Sequence, residues 1–270
     1  MCAVPKYPVL LVHGMGFRDY KLIGYWGRVP KALEEMGCSV HFGQQDSNAD
    51  IETNGEHLAQ RIDEILQQTG AEKVNIIAHS KGGLDSRYAI TATGAADKVA
   101  SLTTVCTPHH GSKTVDLLMK CPDLLVRFVG ACADCWCRTL GDEKPNSYKV
   151  FQSFTTAAAA KFNAETPNCE GVLYQSYACV MKNPLSDLLL WLPNLVVGWI
   201  EGENDGLLTP EAVKWGEFRG ICRGTGRRGV SHCDEIDLRR RPLTKEPGEG
   251  IWDIVEFYKD IVSDLAKRGL

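Results

Sequence analysis

The chain has 270 residues, 44% of them hydrophobic and 24% charged, with a formal net charge of −4. That length holds one large core, the composition is that of a globular chain, and the acidic balance argues against a nucleic acid as the main partner. Eleven cysteines at irregular spacing do not read as a disulfide framework, so mostly free thiols in a reducing compartment are expected.

No leader is apparent at the start. Met1-Cys2-Ala3-Val4-Pro5-Lys6-Tyr7-Pro8 runs straight into a strand, which predicts a cytoplasmic chain, or a secreted one already trimmed to its mature end. The most apolar run, Leu185 to Ile200, carries Asp187, Pro193 and Asn194 and is too short to span a bilayer comfortably. The chain is therefore read as not transmembrane.

In chain order, Tyr7-Pro8-Val9-Leu10-Leu11-Val12-His13 is a continuous apolar run that suits a strand buried on both faces. His13-Gly14-Met15-Gly16-Phe17 follows, where two glycines around one residue permit an unusual backbone path. Lys31 to Met36 reads as a helix closed by Gly37, and Cys38 to Phe42 as the next strand. Thr53-Asn54-Gly55-Glu56 has the form of a capping box. Leu58, Ile62, Ile65 and Leu66 then recur at helical spacing up to Gly70. Val74 to Ala78 is a buried strand, and Leu84 to Ile90 reads as a helix. Val99 to Val105 is a further strand. Strand and helix alternate over the first 112 residues, which predicts a mostly parallel α/β sheet with crossover helices.

The rhythm breaks between about residues 117 and 147. Leu117-Leu118-Met119, Leu124-Leu125-Val126, Phe128-Val129 and then Cys132, Cys135, Trp136 and Cys137 make an apolar helical insert, placed where a mobile cap over a site would lie. Ser153 to Phe162 reads as an alanine-rich helix. Leu173 to Val180 and Val196 to Ile200 read as strands, and Gly220 to Ser231 as a Gly- and Arg-rich loop. Ile251 to Lys267 reads as a terminal amphipathic helix. No repeat or linker divides the chain, so one domain with an insert is expected.

The chemistry centres on Ala78-His79-Ser80-Lys81-Gly82-Gly83. A serine on a tight turn between a buried strand and a helix is a nucleophile elbow: the turn exposes the hydroxyl at the carboxyl end of the sheet. A serine needs a histidine as base and a carboxylate to orient that histidine. In this architecture the chain order is Ser, then Asp or Glu, then His. Of seven histidines, His13, His41, His57 and His79 precede the serine. His109 and His110 come before any suitable late carboxylate. His232, in Gly229-Val230-Ser231-His232-Cys233-Asp234, is left. Asp205, in the Asn204-Asp205-Gly206 turn, is preferred as the acid over Glu201, Glu203 and Asp187. The N–H groups of Met15 and Lys81 are the expected oxyanion donors.

These segments together resemble the bacterial true lipases of the α/β-hydrolase superfamily, the Pseudomonas and Burkholderia group. The resemblance is carried by Tyr7 to Met15, Ala78 to Gly83, Thr107-Pro108-His109-His110-Gly111-Ser112, Asn204 to Leu207, and His232-Cys233-Asp234-Glu235. It implies an α/β-hydrolase fold with a helical lid. It also implies cleavage of lipid acyl esters through an acyl-enzyme on Ser80, with lipid or small esters as substrates, transient contact with a lipid–water interface and no cofactor for the chemistry. The group is typically secreted, and no export signal is visible here. Its members often hold a structural Ca²⁺ near the histidine loop. Asp234 matches one ligand position, but Leu238 stands where a glutamine would help and Asp187 matches only loosely, so calcium is not favoured. Zinc at His109, His110 or the Cys132-Cys135-Cys137 cluster is disfavoured for want of a fourth ligand. Other readings keep the triad in a short-chain carboxylesterase or an acyltransferase, or retire it in a fold that serves as a binding module.

Overall fold

The computed structural model describes residues 4–19, 24–245 and 247–270. Its frame is a six-stranded sheet of β1 (Val9–Val12), β2 (Val40–Phe42), β3 (Val74–His79), β4 (Val99–Val105), β5 (Leu173–Val180) and β6 (Glu217–Arg223). The spatial order is β2-β1-β3-β4-β5-β6, and every pair is parallel. The expected parallel α/β sheet is therefore present. Register brings Val12 opposite Ala78 and Val105 opposite His79, so three central strands end at one level.

β1, β3 and β4 are buried along their whole length, as a sheet covered on both faces requires. Alternation divides their side chains between two cores. Val9, Leu11, Ile77 and Val105 pack with α1 (Val29–Glu35) and α10 (Ile254–Lys267) through Val29, Leu33, Tyr258, Ile261 and Leu265. Leu10, Val12, Ile76 and Leu102 pack on the other face against Leu58, Ile62 and Ile65 of α2 (Ile51–Thr69) and Ala89 and Ile90 of α3 (Lys81–Ala92).

Several expectations need correction. The cap of α2 lies three residues before the supposed capping box: it is Asp50, which accepts from the Thr53 N–H at 3.0 Å. A carboxylate at the cap satisfies an orphan helix N–H and suits the positive end of the dipole. The alanine-rich helix is α7 (Thr156–Glu165), starting three residues later than read because Thr155 leaves the helix and caps it; Ser153 ends the preceding helix, α6 (Ser147–Ser153). Residues 196–200 are helix, in α8 (Trp191–Ile200), not strand; a short apolar run does not reveal its period, and the helix starts upstream with Pro193 in its first turn. β6 occupies part of the expected Gly/Arg loop. As an edge strand it is half exposed and carries charge at alternate positions. Asp205 consequently follows α8 rather than a strand. The helices at residues 31–37, 58–70 and 251–267 lie close to where they were read.

The region read as an insert holds α4 (Lys113–Leu118) and α5 (Asp123–Thr139), followed by a loop into α6. α9 (Pro210–Val213) is a single turn. The ten described cysteines are free thiols; Cys2 and the start of the chain, where a leader was sought, lie outside the described residues. Among the described residues no helix is long and apolar enough to cross a membrane.

The β3–α3 turn passes so close to β1 that a Cβ on Gly82 would stand 2.4 Å from the His13 carbonyl oxygen and 2.7 Å from that of Val12. Gly82→Val should therefore destabilise the chain by about 3 kcal/mol or more, lowering the melting temperature in calorimetry by about 6–12 °C. An unchanged melt would show that the crossing has slack.

Candidate functional site

The site is built at the level where β1, β3 and β4 end. Ser80 follows β3 directly and holds φ = 53°, a left-handed conformation that a residue with a side chain adopts only under constraint. The constraint is visible. Ser80 N–H donates to the Val105 carbonyl at 3.0 Å, and the Thr107 hydroxyl donates to the Ser80 carbonyl at 2.7 Å. A Cβ on Gly14 would lie 2.8 Å from the Ser80 Cβ. The serine is thus held by the ends of three strands.

The structure brings the three side chains selected from the sequence together. Ser80 Oγ lies 3.0 Å from His232 Nε2, and His232 Nδ1–H donates to Asp205 Oδ2 at 2.8 Å. The backbone repeats the link, since His232 N–H donates to the Asp205 carbonyl at 2.8 Å. The other Asp205 oxygen accepts from the N–H groups of Leu207 and Leu208, each at 2.8 Å. Burial favours the neutral acid, but the His232 charge and these hydrogen bonds outweigh it and hold Asp205 below the usual carboxylate range.

The two expected oxyanion donors flank the serine. Lys81 is the first residue of α3, so its N–H is one of the unpaired donors at a helix N-terminus. Met15 follows Gly14, the residue packed against Ser80, and its N–H makes no hydrogen bond among the described residues. The Lys81 side chain is turned to other work, paired with Asp85 at 2.8 Å and fully buried.

One member of this cluster was not singled out in the sequence. Glu235, three residues after His232, is fully buried; its Oε2 lies 2.7 Å from His79 Nε2 and 3.3 Å from His232 Nδ1. The order rule finds one acid only, and the residue is visible beforehand just as the last letter of His232-Cys233-Asp234-Glu235. The proton order can be assigned along the chain of contacts. Gly14 N–H donates to the Tyr25 oxygen at 2.9 Å, so the phenol proton points to His79 Nδ1 at 2.8 Å. That leaves His79 Nε2–H to donate to Glu235. Burial, with the charges of His232 and His13, pushes His79 well below the usual range, and it stays neutral. Burial and then the nearby Asp205 raise Glu235 to about 7. For His232, burial opposes the charge, but Asp205 and then Glu235 outweigh it and raise it above the usual imidazole range.

The remaining candidates lie elsewhere. His13 braces its own turn through the carbonyls of Gly14 and Gln45. His109 is buried against Arg87 and Thr104, and His110 bonds the Lys214 carbonyl. Glu201 is held by Ser112 and Thr114, and Glu203 by Arg223. Among the described residues, the groups of possible metal ligands that gather are His79, His232 and Glu235, and Cys106, Cys179 and Glu235. Neither includes His109, His110 or the cysteines of α5. Asp187 and Asp234, the loosely matched calcium positions, do approach each other, but a guanidinium stands with them. Arg239 Nε lies 2.9 Å from Asp234 Oδ1, and its Nη2 lies 3.8 Å from Asp187 Oδ2; Arg228 Nη2 lies 3.4 Å from Asp234 Oδ2. Both Asp187 oxygens are also engaged, Oδ2 by the Ser231 hydroxyl at 2.7 Å and Oδ1 by the Leu189 N–H at 3.0 Å. A carboxylate pair already served by two cations does not fit a Ca²⁺ ion that needs six or more oxygens.

Because Glu235 adds a second anion beside His232, removing its charge should let His232 lose its proton at lower pH. Glu235→Gln is expected to move the acidic limb of kcat/KM to lower pH and to reduce kcat at neutral pH by about tenfold (~1.4 kcal/mol). A pH–rate profile superimposable on that of the parent would leave Glu235 with no part in tuning the base.

Comparison with known proteins follows the same lines. A family model described as Palmitoyl protein thioesterase matches residues 8–176. Triacylglycerol lipase 2 of Saccharomyces cerevisiae is 30% identical over 269 residues, covering 92% of this chain and 74% of that protein. A triacylglycerol lipase of Burkholderia plantarii is 39% identical over 121 residues, 43% of this chain and only 33% of its own length. Among solved structures, a metagenomic carboxyl esterase superposes with a TM-score of 0.76 over 98% of this chain and 78% of its own, at 16% identity, which speaks for the fold alone. The chain belongs to the palmitoyl protein thioesterase family, among the lipases and esterases with the α/β-hydrolase fold.

Proposed function

We propose that Ser80 is the nucleophile of a lipase-type carboxylic ester hydrolase. The observation that carries this reading is the unbroken contact from Ser80 Oγ through His232 to Asp205, beside the free N–H groups at the start of α3. In this reading His232 Nε2 takes the serine proton as Oγ attacks the acyl carbonyl. The negative oxygen that forms is held by the N–H groups of Met15 and Lys81. His232 then gives its proton to the leaving alcohol, and water repeats the sequence to release the acid. Asp205 fixes the imidazole tautomer and balances its positive charge.

The finer placement beside the bacterial true lipases is supported by the match to the Burkholderia plantarii lipase and by an apolar cavity. About 260 Å³ of space is lined by Val115, Leu118, Met119, Leu125, Val129 and Phe151, among others. It opens under α4 and α5, and Ser112 N–H donates to the carbonyl of Phe154, another lining residue. A cavity with an almost wholly apolar wall suits a long acyl chain, and α4–α5 then forms the lid of the site. The family match favours a second reading, in which the same machinery cleaves a long-chain acyl thioester. Calcium has no place in either reading, since Arg239 and Arg228 already neutralise Asp187 and Asp234.

Ser80→Ala should lower kcat for p-nitrophenyl esters by about a millionfold with an unchanged melting temperature, and should abolish labelling by a fluorophosphonate. Retained turnover would overturn the assignment, and a parent protein that resists the probe would point to a retired hydrolase fold. Val129→Trp, which fills the cavity, should reduce turnover of sixteen-carbon esters about tenfold and spare four-carbon esters. Equal loss on both would remove the cavity from the acyl path. Parallel assays of palmitoyl oxyester and thioester, with and without an alcohol acceptor, separate the lipase, thioesterase and acyltransferase readings. Dialysis against a chelator should change neither rate nor melting temperature; a loss restored by Ca²⁺ would contradict the guanidinium account.

A further inference from the structure

The lipid-ester reading accounts for an apolar surface near the site, but not for the charge around it. α8 is apolar on nearly every side. Asn194 and Val197 face inward, whereas Trp191, Leu192, Leu195, Val196 and Trp199 are exposed, Trp199 to 87%. The turn before it adds Leu185 and Leu188, 76% and 79% exposed. An apolar helix left in water marks a surface that something covers.

The rim of this patch is basic. The turn at Pro184–Ser186 is clasped by two arginines, since Arg228 and Arg239 both donate to the Ser186 carbonyl. From these anchors the chain presents more cations. Arg227 is exposed beside Asn183, which donates to its carbonyl at 3.0 Å. Lys182 is exposed and bonds the Gly226 carbonyl at 2.8 Å. Arg240 and Arg241 follow Arg239 and are exposed, Arg240 also donating to the Gly24 carbonyl at 3.1 Å. Among the described residues no carboxylate pairs with Lys182, Arg227, Arg240 or Arg241. The acids nearby are all engaged: Asp187 and Asp234 are buried with Arg239 and Arg228, Glu201 accepts from Ser112 and Thr114, and Glu203 pairs with Arg223. A chain with a net charge of −4 thus gathers unpaired positive charge beside its most apolar exposed helix.

We propose that α8 and the Pro184–Ser186 turn insert into the interface of an anionic phospholipid bilayer, with Lys182, Arg227, Arg240 and Arg241 resting on its headgroups. Aromatic and aliphatic side chains enter the acyl boundary while cations stay at headgroup level, as for a helix lying in a membrane plane. A neutral oil would satisfy the apolar face but leave the cations without partners, and a second copy docked through the same face would set these cations against their own copies. The inference rests on the lipid-ester reading only for why a lipid surface is approached, and binding can be measured apart from turnover.

The test is flotation of the Ser80→Ala protein with vesicles of phosphatidylcholine alone, or of phosphatidylcholine with about three parts in ten of phosphatidylglycerol, an anionic lipid. Tight binding only to the anionic vesicles, weakened by salt, is expected. Arg227→Gln with Arg241→Gln should weaken that binding about 25-fold, roughly fivefold per charge. In an otherwise unchanged protein, the same pair should leave turnover of a soluble short-chain ester as it was. Trp199→Ala with Leu188→Ser should reduce binding to anionic vesicles while the salt dependence remains. Equal binding to both vesicle types, no binding to either, or self-association that buries α8 in sedimentation would each overturn the proposal. If binding holds while the parent protein hydrolyses no ester, the functional reading fails and this one stands.

Discussion

Two carboxylates and two imidazoles share one dry space behind Ser80, and most of the surrounding architecture serves to balance their charge. Asp205 and Glu235 are both fully buried, where like charges repel strongly and an unpaired carboxylate is costly. His232 answers both: its Nδ1 lies 2.8 Å from one and 3.3 Å from the other. His79 answers Glu235 as a neutral donor, and that role is fixed by Tyr25 and ultimately by the Gly14 N–H. His79, the residue before Ser80, and the turn at Gly14 are therefore joined by hydrogen bonds to Glu235, which meets His232 as an ion pair. In the proposed reaction, a positive charge formed on His232 would enter a place already lined by these two carboxylates, with little solvent to reorganise.

Such a cluster works only if the loop that carries His232 and Glu235 cannot drift, and it is clamped on both sides. On one side, Arg239 and Arg228 meet Asp234, with Arg239 also reaching Asp187. On the other, the Arg28 guanidinium faces Asp237 and Asp253, with all four carboxylate oxygens between 2.7 and 3.0 Å. Tyr258 of α10 donates to the Glu235 carbonyl at 3.0 Å. Planar, permanently charged groups are well suited to this, since each can hold two carboxylates in a fixed plane.

The sequence reveals this frame unevenly, for physical reasons. Strands buried on both faces are legible because their apolar runs stop at sharp turns, as at Val12 and His79. The elbow and the order of Ser80, Asp205 and His232 are legible because few residue types can do that chemistry. Periodicity fails where packing decides. Residues 196–200 have no polar face to reveal a helix, because α8 is exposed with an apolar surface. β6 is disguised by its glycine and arginines, which an edge strand tolerates and a central one would not. The Asp50 cap is hidden by a better-looking box three residues later. Glu235 escapes for a different reason: its role comes from a contact with His79, 156 residues away in the chain, and nothing in local spacing records that.

The polar clamps and the apolar cover are not separate features. Glu201, at the end of α8, accepts from the Ser112 and Thr114 hydroxyls and the Thr114 N–H, so α8 is fastened to the start of α4. At the far end of the α4–α5 region, buried Asp142 accepts from Ser47 and from the Asn48 N–H, which ties it back to the loop after β2. Between these anchors most of the exposed side chains on α5, such as Leu124 and Phe128, are apolar and lack a protein partner of comparable size. Water leaves such a surface readily and a charged surface reluctantly. The buried ion pairs thus lie at the anchors of this region and behind Ser80, where they fix geometry, while the surface of α5 between the anchors is mainly apolar, interrupted by the Asp123–Arg127 pair and Arg138.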